Sequence, residues 1–300
     1  MRFRLSRAGG FCLCALLLLE VPLARASGIL VSPAQMGLVV KPGETATEVF
    51  RVSPSRAEKT QVRVRVVDFD KTPDGATVEL KEGPPRRSCL EWVRVEPLSF
   101  ETAESGWTEV RVNVTVPAEA TGTSWALVVF QVDSGGSKKV GGRTVFFRPQ
   151  LQVPLLVTAR GTEARGARIE NLKAVAMPDG FVEVSADMTN TGNTGLQPTG
   201  SWVHERKLES SDQKEEIQEK EMASFLLLPG RSFHAHDRLP LSGAAQKGLS
   251  SHLYVVYGVE AGQTAEATSP VESAPAPTPS VPPSSATPKG VPRKGGSPRT

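Results

Sequence analysis

The sequence predicts an all-β chain of two tandem immunoglobulin-like β-sandwich domains, followed by a disordered, proline-rich C-terminal tail. Three observations predict it. Short β-branched runs with period-two alternation begin near residue 28 and are separated by turn residues. Between the N-terminal apolar segment and the tail lies room for two sandwiches of the usual size, about 100 residues each. Long helices have no obvious place in the pattern.

The chain opens with Arg2, Arg4 and Arg7 ahead of an apolar run from Phe11 to Leu19, and Ala24-Arg25-Ala26 supplies a small-x-small cleavage pattern. Residues 1–26 are therefore expected to be a signal peptide, and the protein to be periplasmic or secreted. The apolar run is about half of the roughly 20 residues a spanning helix needs, so no transmembrane segment is expected after cleavage. Cys12 and Cys14 fall within the removed segment, leaving Cys89 without an internal disulfide partner, as a small buried residue.

Charge divides by segment. The first 26 residues carry +3 and residues 270–300 another +3, so a whole-chain charge of +3 leaves −3 for the residues between. A mildly acidic body argues against a nucleic-acid groove.

The first domain is expected over residues 27–160. Val62, Val64 and Val66 alternate with Arg63 and Arg65, which places valines on one face and guanidinium groups on the other. The same alternation runs from Val110 to Val116. The run Trp125 to Phe130 is continuously apolar, the mark of a central strand buried on both faces. Lys41-Pro42-Gly43-Glu44, Pro73-Asp74-Gly75 and Gly135-Gly136 supply turns.

The second domain is expected over residues 161–268, the joint falling between Arg160 and Gly166. Its strands are expected at Ile169 to Met177, Phe181 to Asn190, Gly200 to Leu208, Glu221 to Leu228, Ser232 to Leu241 and His252 to Glu260. Lys214 to Glu221 has a helix-favouring composition but is too short to sustain an isolated helix, so a solvated hairpin arm or a single helical turn is expected. Residues 269–300 are Pro, Ser, Thr and Ala with a basic end, and are expected to be a disordered tail.

Few residues suggest chemistry. Asp68, Asp70, Asp74 and Glu79 are spaced like calcium ligands, but Pro73 stands where a calcium loop needs glycine, so a surface hairpin is expected. His234 and His236 would share one face of a strand; two ligands do not close a zinc site, so no metal is expected. No nucleophile elbow, metalloprotease helix, phosphate loop or dinucleotide fingerprint occurs. Neither a cofactor nor an enzymatic activity is expected.

Three segments carry a family resemblance. Gly28 to Pro33, with Val40-Lys-Pro-Gly-Glu44 and Thr47 to Val52, look like an opening strand, turn and second strand. Trp92 to Phe100, then Val110 to Pro117, Gly122 and Trp125 to Phe130, look like strands returning across a sandwich. Ala186 to Asn193, with Pro198 and Gly200, looks like a second-domain Asn-x-Gly-Asn turn. Together they resemble bacterial β-sandwiches of the pilus-chaperone (PapD-like) superfamily and the related two-domain WxL-interacting surface proteins.

That resemblance implies a non-enzymatic, exported binding protein of the cell envelope. Its tandem domains would engage another envelope or surface protein, or a cell-wall polymer, through a sheet edge or interdomain cleft; no nucleic-acid partner is expected. The alternative it implies is a periplasmic chaperone for pilus or surface-subunit assembly. Pilus chaperones hold a subunit's terminal carboxylate with a basic pair, one member on the first strand and one on the last strand of domain one. Here Val31 to Val40 holds no Arg or Lys, with Gln35 and Met36 near the expected place, whereas Arg143 and Arg148 flank Thr144-Val-Phe-Phe147. The expected partner-binding residues are Arg143, Val145, Phe147 and Arg148, on a strand running from Val145 to Val157.

Overall fold

A computed structural model of the chain describes residues 28–56, 59–81, 87–133, 137–146, 148–207, 214–240, 249–258 and 263–273. The expected signal peptide and most of the expected tail lie outside these residues. Among them, the regular elements are strands apart from one short 3-10 turn at Leu90–Trp92. Contacts divide the chain into one unit of Met1–Thr72, Ala76–Ala164 and Asn193–Gly195 and another of Pro73–Gly75, Arg165–Gly192 and Leu196–Thr300.

The first unit is a sandwich of two sheets. One has the order β1 (Ile29–Ser32), β3 (Thr45–Pro54), β9 (Thr108–Thr115), β7 (Val93–Glu96). The other runs β2 (Met36–Val40), β13 (Gln150–Ala159), β10 (Gly122–Val132), β4 (Gln61–Val67), β8 (Ser99–Glu101). The opening segment changes sheet between β1 and β2, across Pro33. The expected Lys41-Pro-Gly-Glu44 turn is present, with Gly43 at φ 83° and the Glu44 amide donating to the Lys41 carbonyl at 3.0 Å. Val62, Val110, Val112 and Val114 face inward as their alternation requires, and Phe50 from one sheet meets Phe130 from the other edge-on at 5.4 Å. Each such side chain, fully buried, contributes about 1.5–3 kcal/mol.

β10 explains its own composition. It lies between β13 and β4. Ala126, Val128 and Phe130 fill the core while Trp125, Leu127 and Val129 are buried on the opposite face. There β5 (Phe69–Lys71) and β6 (Thr77–Glu79) form a small hairpin, and the Trp125 Nε1–H donates to the Phe69 carbonyl at 2.9 Å.

The second unit strings seven strands into one hydrogen-bonded ribbon: β17 (Lys214–Met222), β16 (Thr199–Lys207), β19 (Leu249–Val256), β20 (Thr264–Ser273), β14 (Ala167–Ala176), β15 (Phe181–Asn190) and β18 (Ser232–Pro240). The ribbon doubles over at β20, which pairs antiparallel with β19 as far as Pro270 and then parallel with β14 from Val271 to Ser273. Pro270, lacking an N–H, stands where the partner changes. Trp202, Leu253 and Val255 from one half meet Val182, Val184, Met188 and Leu239 from the other in a common core. An ion pair between Lys220 on β17 and Asp237 on β18 joins the outermost strands.

Two expectations are corrected here, and a third, left open between two forms, is decided. β20 has no counterpart among the expected strands and runs to Ser273, past the expected domain end at residue 268. Residues 214–222 form a strand, the hairpin arm rather than the helical turn, because pairing with β16 outweighs local propensity. Glu221 to Leu228 is not a strand: β17 ends at Met222, and Leu227 makes only an isolated bridge to Leu196.

Candidate functional site

β10 and β13 form a hairpin whose connection contains a smaller one, β11 (Ser137–Val140) with β12 (Arg143–Phe146). Gly141 and Gly142 form its turn at φ 56° and 79°, the left-handed pair that a two-residue type I′ turn requires. Opposed residues share a face, so Val140, Arg143 and Val145 lie on the same side. Val140 is 54% and Val145 39% exposed. Between Asp133 and Gln150 the sequence holds Lys138, Lys139, Arg143 and Arg148 and no carboxylate. Lys139, Arg143 and Arg148 are exposed, and none has an ion-pair partner among the described residues.

The structure thus brings Arg143 and Val145 onto one face of β12 and leaves Arg148 exposed beyond it; Phe147 lies outside the described residues. The single strand expected from Val145 to Val157 is instead two, β12 ending at Phe146 and β13 beginning at Gln150. Pro149 intervenes, with no N–H to carry a ladder, although its carbonyl still accepts the Val132 amide at 3.0 Å.

That bond sets the parity of β13. In an antiparallel pair, bonded and non-bonded residues alternate. Val132 and Pro149 are bonded, so odd-numbered residues of β13 direct their backbone groups to β10 and even-numbered ones direct theirs away. On the far side β2 pairs only with Leu155 to Ala159, and the Arg160 amide reaches the Val40 carbonyl at 2.8 Å, as this parity demands. Among the described residues no strand pairs with Gln150 to Pro154 on that side. The amides and carbonyls of Gln150 and Gln152 therefore face an open edge.

Side chains on the outer face beside this edge are already engaged. Arg65 makes a bidentate pair with Glu79 at 2.8 and 2.9 Å, and the Gln152 amide donates to Glu79 at 2.8 Å. The Arg65 hydrogen bond, above all, holds the Glu79 carboxyl below its ordinary range. Leu151, Val153, Leu155 and Val157 point the other way, into the core.

The other sequence candidates do not converge. Asp68 accepts from the Ser88 hydroxyl at 2.5 Å and Glu79 turns to Arg65, so the carboxylates spaced like calcium ligands belong to a surface hairpin and its surroundings. No group of three or more potential metal ligands occurs among the described residues. Cys89 is buried, and burial, reinforced by Asp68, pushes its thiol far up. His204 is buried, its Nδ1 2.8 Å from the Ser251 hydroxyl and its Nε2 without a partner among the described residues; burial pushes its pKa down. Gln150, Gln152, Lys138 and Lys139 were not among the expected site residues. The run of four cations was the one local signal for the lysines, whereas the glutamines matter through a register that no local pattern reveals.

No protein-family model matches the sequence, and no curated protein matches it. Several solved structures are similar to it. One is a chain from the chaperone–tip adhesin complex of CFA/I fimbriae biogenesis, 12% identical over 81% of this chain and 98% of its own, at a TM-score of 0.43. Another is the class 5 fimbriae chaperone CfaA, 12% identical over 80% and 98%, at 0.42. A third is a chain of the CsuC–CsuE chaperone–tip adhesion subunit pre-assembly complex of Acinetobacter baumannii, 10% identical over 74% and 92%, at 0.38. All three come from fimbrial or pilus chaperone systems, and likenesses this distant say nothing of what this chain binds.

Proposed function

We propose that the protein is a non-enzymatic, exported binding protein that holds an extended segment of another envelope polypeptide against the open edge of β13, in the manner of an assembly chaperone. One observation carries the reading: the outward amides and carbonyls of Gln150 and Gln152, left unpaired by β2, present a short template on which a further strand can be added. The basic hairpin beside it, with exposed Val140 and Val145, adds apolar contact and a preference for an acidic segment or a terminal carboxylate.

The carboxylate anchor differs from the paired one that the resemblance implies. β1 and β2 carry no cation, and Lys41, just beyond β2, lies 3.7 Å from Glu44. Residues at the hairpin alone would supply the charge. The periplasm is the compartment in which such a partner is met unfolded or unassembled.

A pull-down from envelope extract tests the proposal. Recovery of unassembled surface or pilus subunits is expected. Recovery of wall polymer or a mature surface protein instead would sink the chaperone reading and leave an envelope-binding module.

A further inference from the structure

On the outer face of the second unit, β15 carries Asp187 and Ser185 directly opposite His234 and His236 of the outermost strand β18. The Asn190 amide donates to the Arg231 carbonyl at 3.0 Å, which fixes the parity of this ladder: Asp187–His234 and Ser185–His236 are both non-bonded pairs, whose side chains stand closest. Asp187 is held from two sides. Its Oδ2 accepts the Asn171 side-chain amide at 2.7 Å, and its Oδ1 lies 2.8 Å from His234 Nδ1. Asn171 sits in a bulge of β14, at φ 54°, the left-handed region that an asparagine enters more readily than most residues.

These contacts determine the tautomer of His234. At neutral pH an aspartate carboxylate is ionised and only accepts, and Oδ2 already takes the Asn171 amide, so across the 2.8 Å contact with Oδ1 it is His234 Nδ1 that must donate. The neutral ring then presents the Nε2 lone pair outward. A metal-ligating histidine whose other ring nitrogen is held by a carboxylate has this arrangement. His236, two residues on, shares the face; its ring lies 6.3 Å from that of His234, at 25°. The His236 ring makes no hydrogen bond among the described residues and can turn, whereas the His234 ring is held by Asp187. Ion–nitrogen distances of about 2.0–2.1 Å require the rings to approach more closely, which the free ring of His236 supplies.

We propose that His234 and His236 form a bidentate imidazole site for a divalent d-block cation, Cu2+ or Ni2+ ahead of Zn2+, with Asp187 and Asn171 as its outer support. Two nitrogens favour these ions over the oxygen-seeking Mg2+ and Ca2+, and leave positions for water or for a donor from a partner. Lys173, in the row of Ser185 and His236, opposes the cation and keeps the affinity modest.

Calorimetric titration of the untagged full chain with Cu2+, Ni2+, Zn2+ and Mg2+ tests the site. One equivalent of each d-block ion and no Mg2+ is expected to bind. His236→Ala should abolish that equivalent, and Asp187→Asn should weaken it about 10–100-fold, the usual effect of losing an outer carboxylate. Each variant's melting curve, unchanged, would show that the fold is intact. Binding by His236→Ala as tight as that of the parent would overturn the proposal, as would Asp187→Asn without effect, since isolated surface imidazoles would then account for the ion.

Discussion

Ending the chain at Thr268 rather than Ser273 separates a structural strand from a tail. Residues Ser269 and Pro270 still pair with Ser251 and Ser250 of β19, and Val271, Glu272 and Ser273 pair with Ala174, Val175 and Ala176 of β14. Val271 also packs on the second core. Partial burial of a valine contributes about 1 kcal/mol, and each ladder hydrogen bond a net ~0.5–1.5 kcal/mol. The loss should total about 2–4 kcal/mol, discounted for disorder already present at a strand end. For a domain of this size that lowers the melting temperature by roughly 10–20 °C. Scanning calorimetry of the full chain and of variants ending at Ser273 and Thr268 measures it. The Ser273 variant should melt with the full chain, because residues 274–300 have little apolar content to bury. If the Thr268 variant melts within about 2 °C of the full chain, β20 does not join the two halves of its ribbon and the reasoning fails.

Two further predictions concern pH. Burial lowers the His204 pKa in the folded state, so the stability it preserves is complete above the unfolded value of about 6.5 and is lost as pH falls below it, by at most ~1.4 kcal/mol per pH unit. The second unit should melt lower at pH 5 than at pH 7.5, and His204→Asn should shrink that difference. The Glu79 carboxyl is also depressed, so its contribution is complete above about pH 4.3 and is lost as pH falls through the lower folded value. Glu79→Gln should cost about 1 kcal/mol or less at neutral pH, since Arg65 is partly exposed, and should flatten the acid limb of the stability curve measured by urea titration.

Much of the fold is legible in local pattern. Valines at 62, 64, 110, 112 and 114 declare a half-buried face, and the unbroken apolar run of β10 declares a central strand because both of its faces are covered. The sequence misleads where a partner overrides composition. Residues 214–222 are rich in Glu and Lys, yet β16 holds them extended. Pro270 among Ser, Thr and Ala reads as tail, yet it marks the point where one strand leaves one partner for another. His204 was legible in principle, since it follows buried Trp202 by two residues on one strand and must share its face. The open edge was not. It exists because β2 begins at Met36 opposite Leu155, a pairing across more than a hundred residues that leaves Gln150 and Gln152 uncovered.

The parity of β13 allows its edge to be blocked without breaking its sheet. Proline at position 152 removes an N–H that points away from β10 and places a ring where an added strand would lie, while proline at Val153 removes one that points into the β10 ladder. Gln152→Ala controls for the lost hydrogen bond to Glu79. The decisive measurement is the quantity of envelope polypeptide that co-purifies with each variant, alongside its melting temperature. The account predicts that Gln152→Pro keeps the melting temperature of Gln152→Ala but retains less than about a tenth of its bound polypeptide, the effect of losing ~1.4 kcal/mol, and that Val153→Pro is destabilised. Full recovery of partner by Gln152→Pro would contradict it.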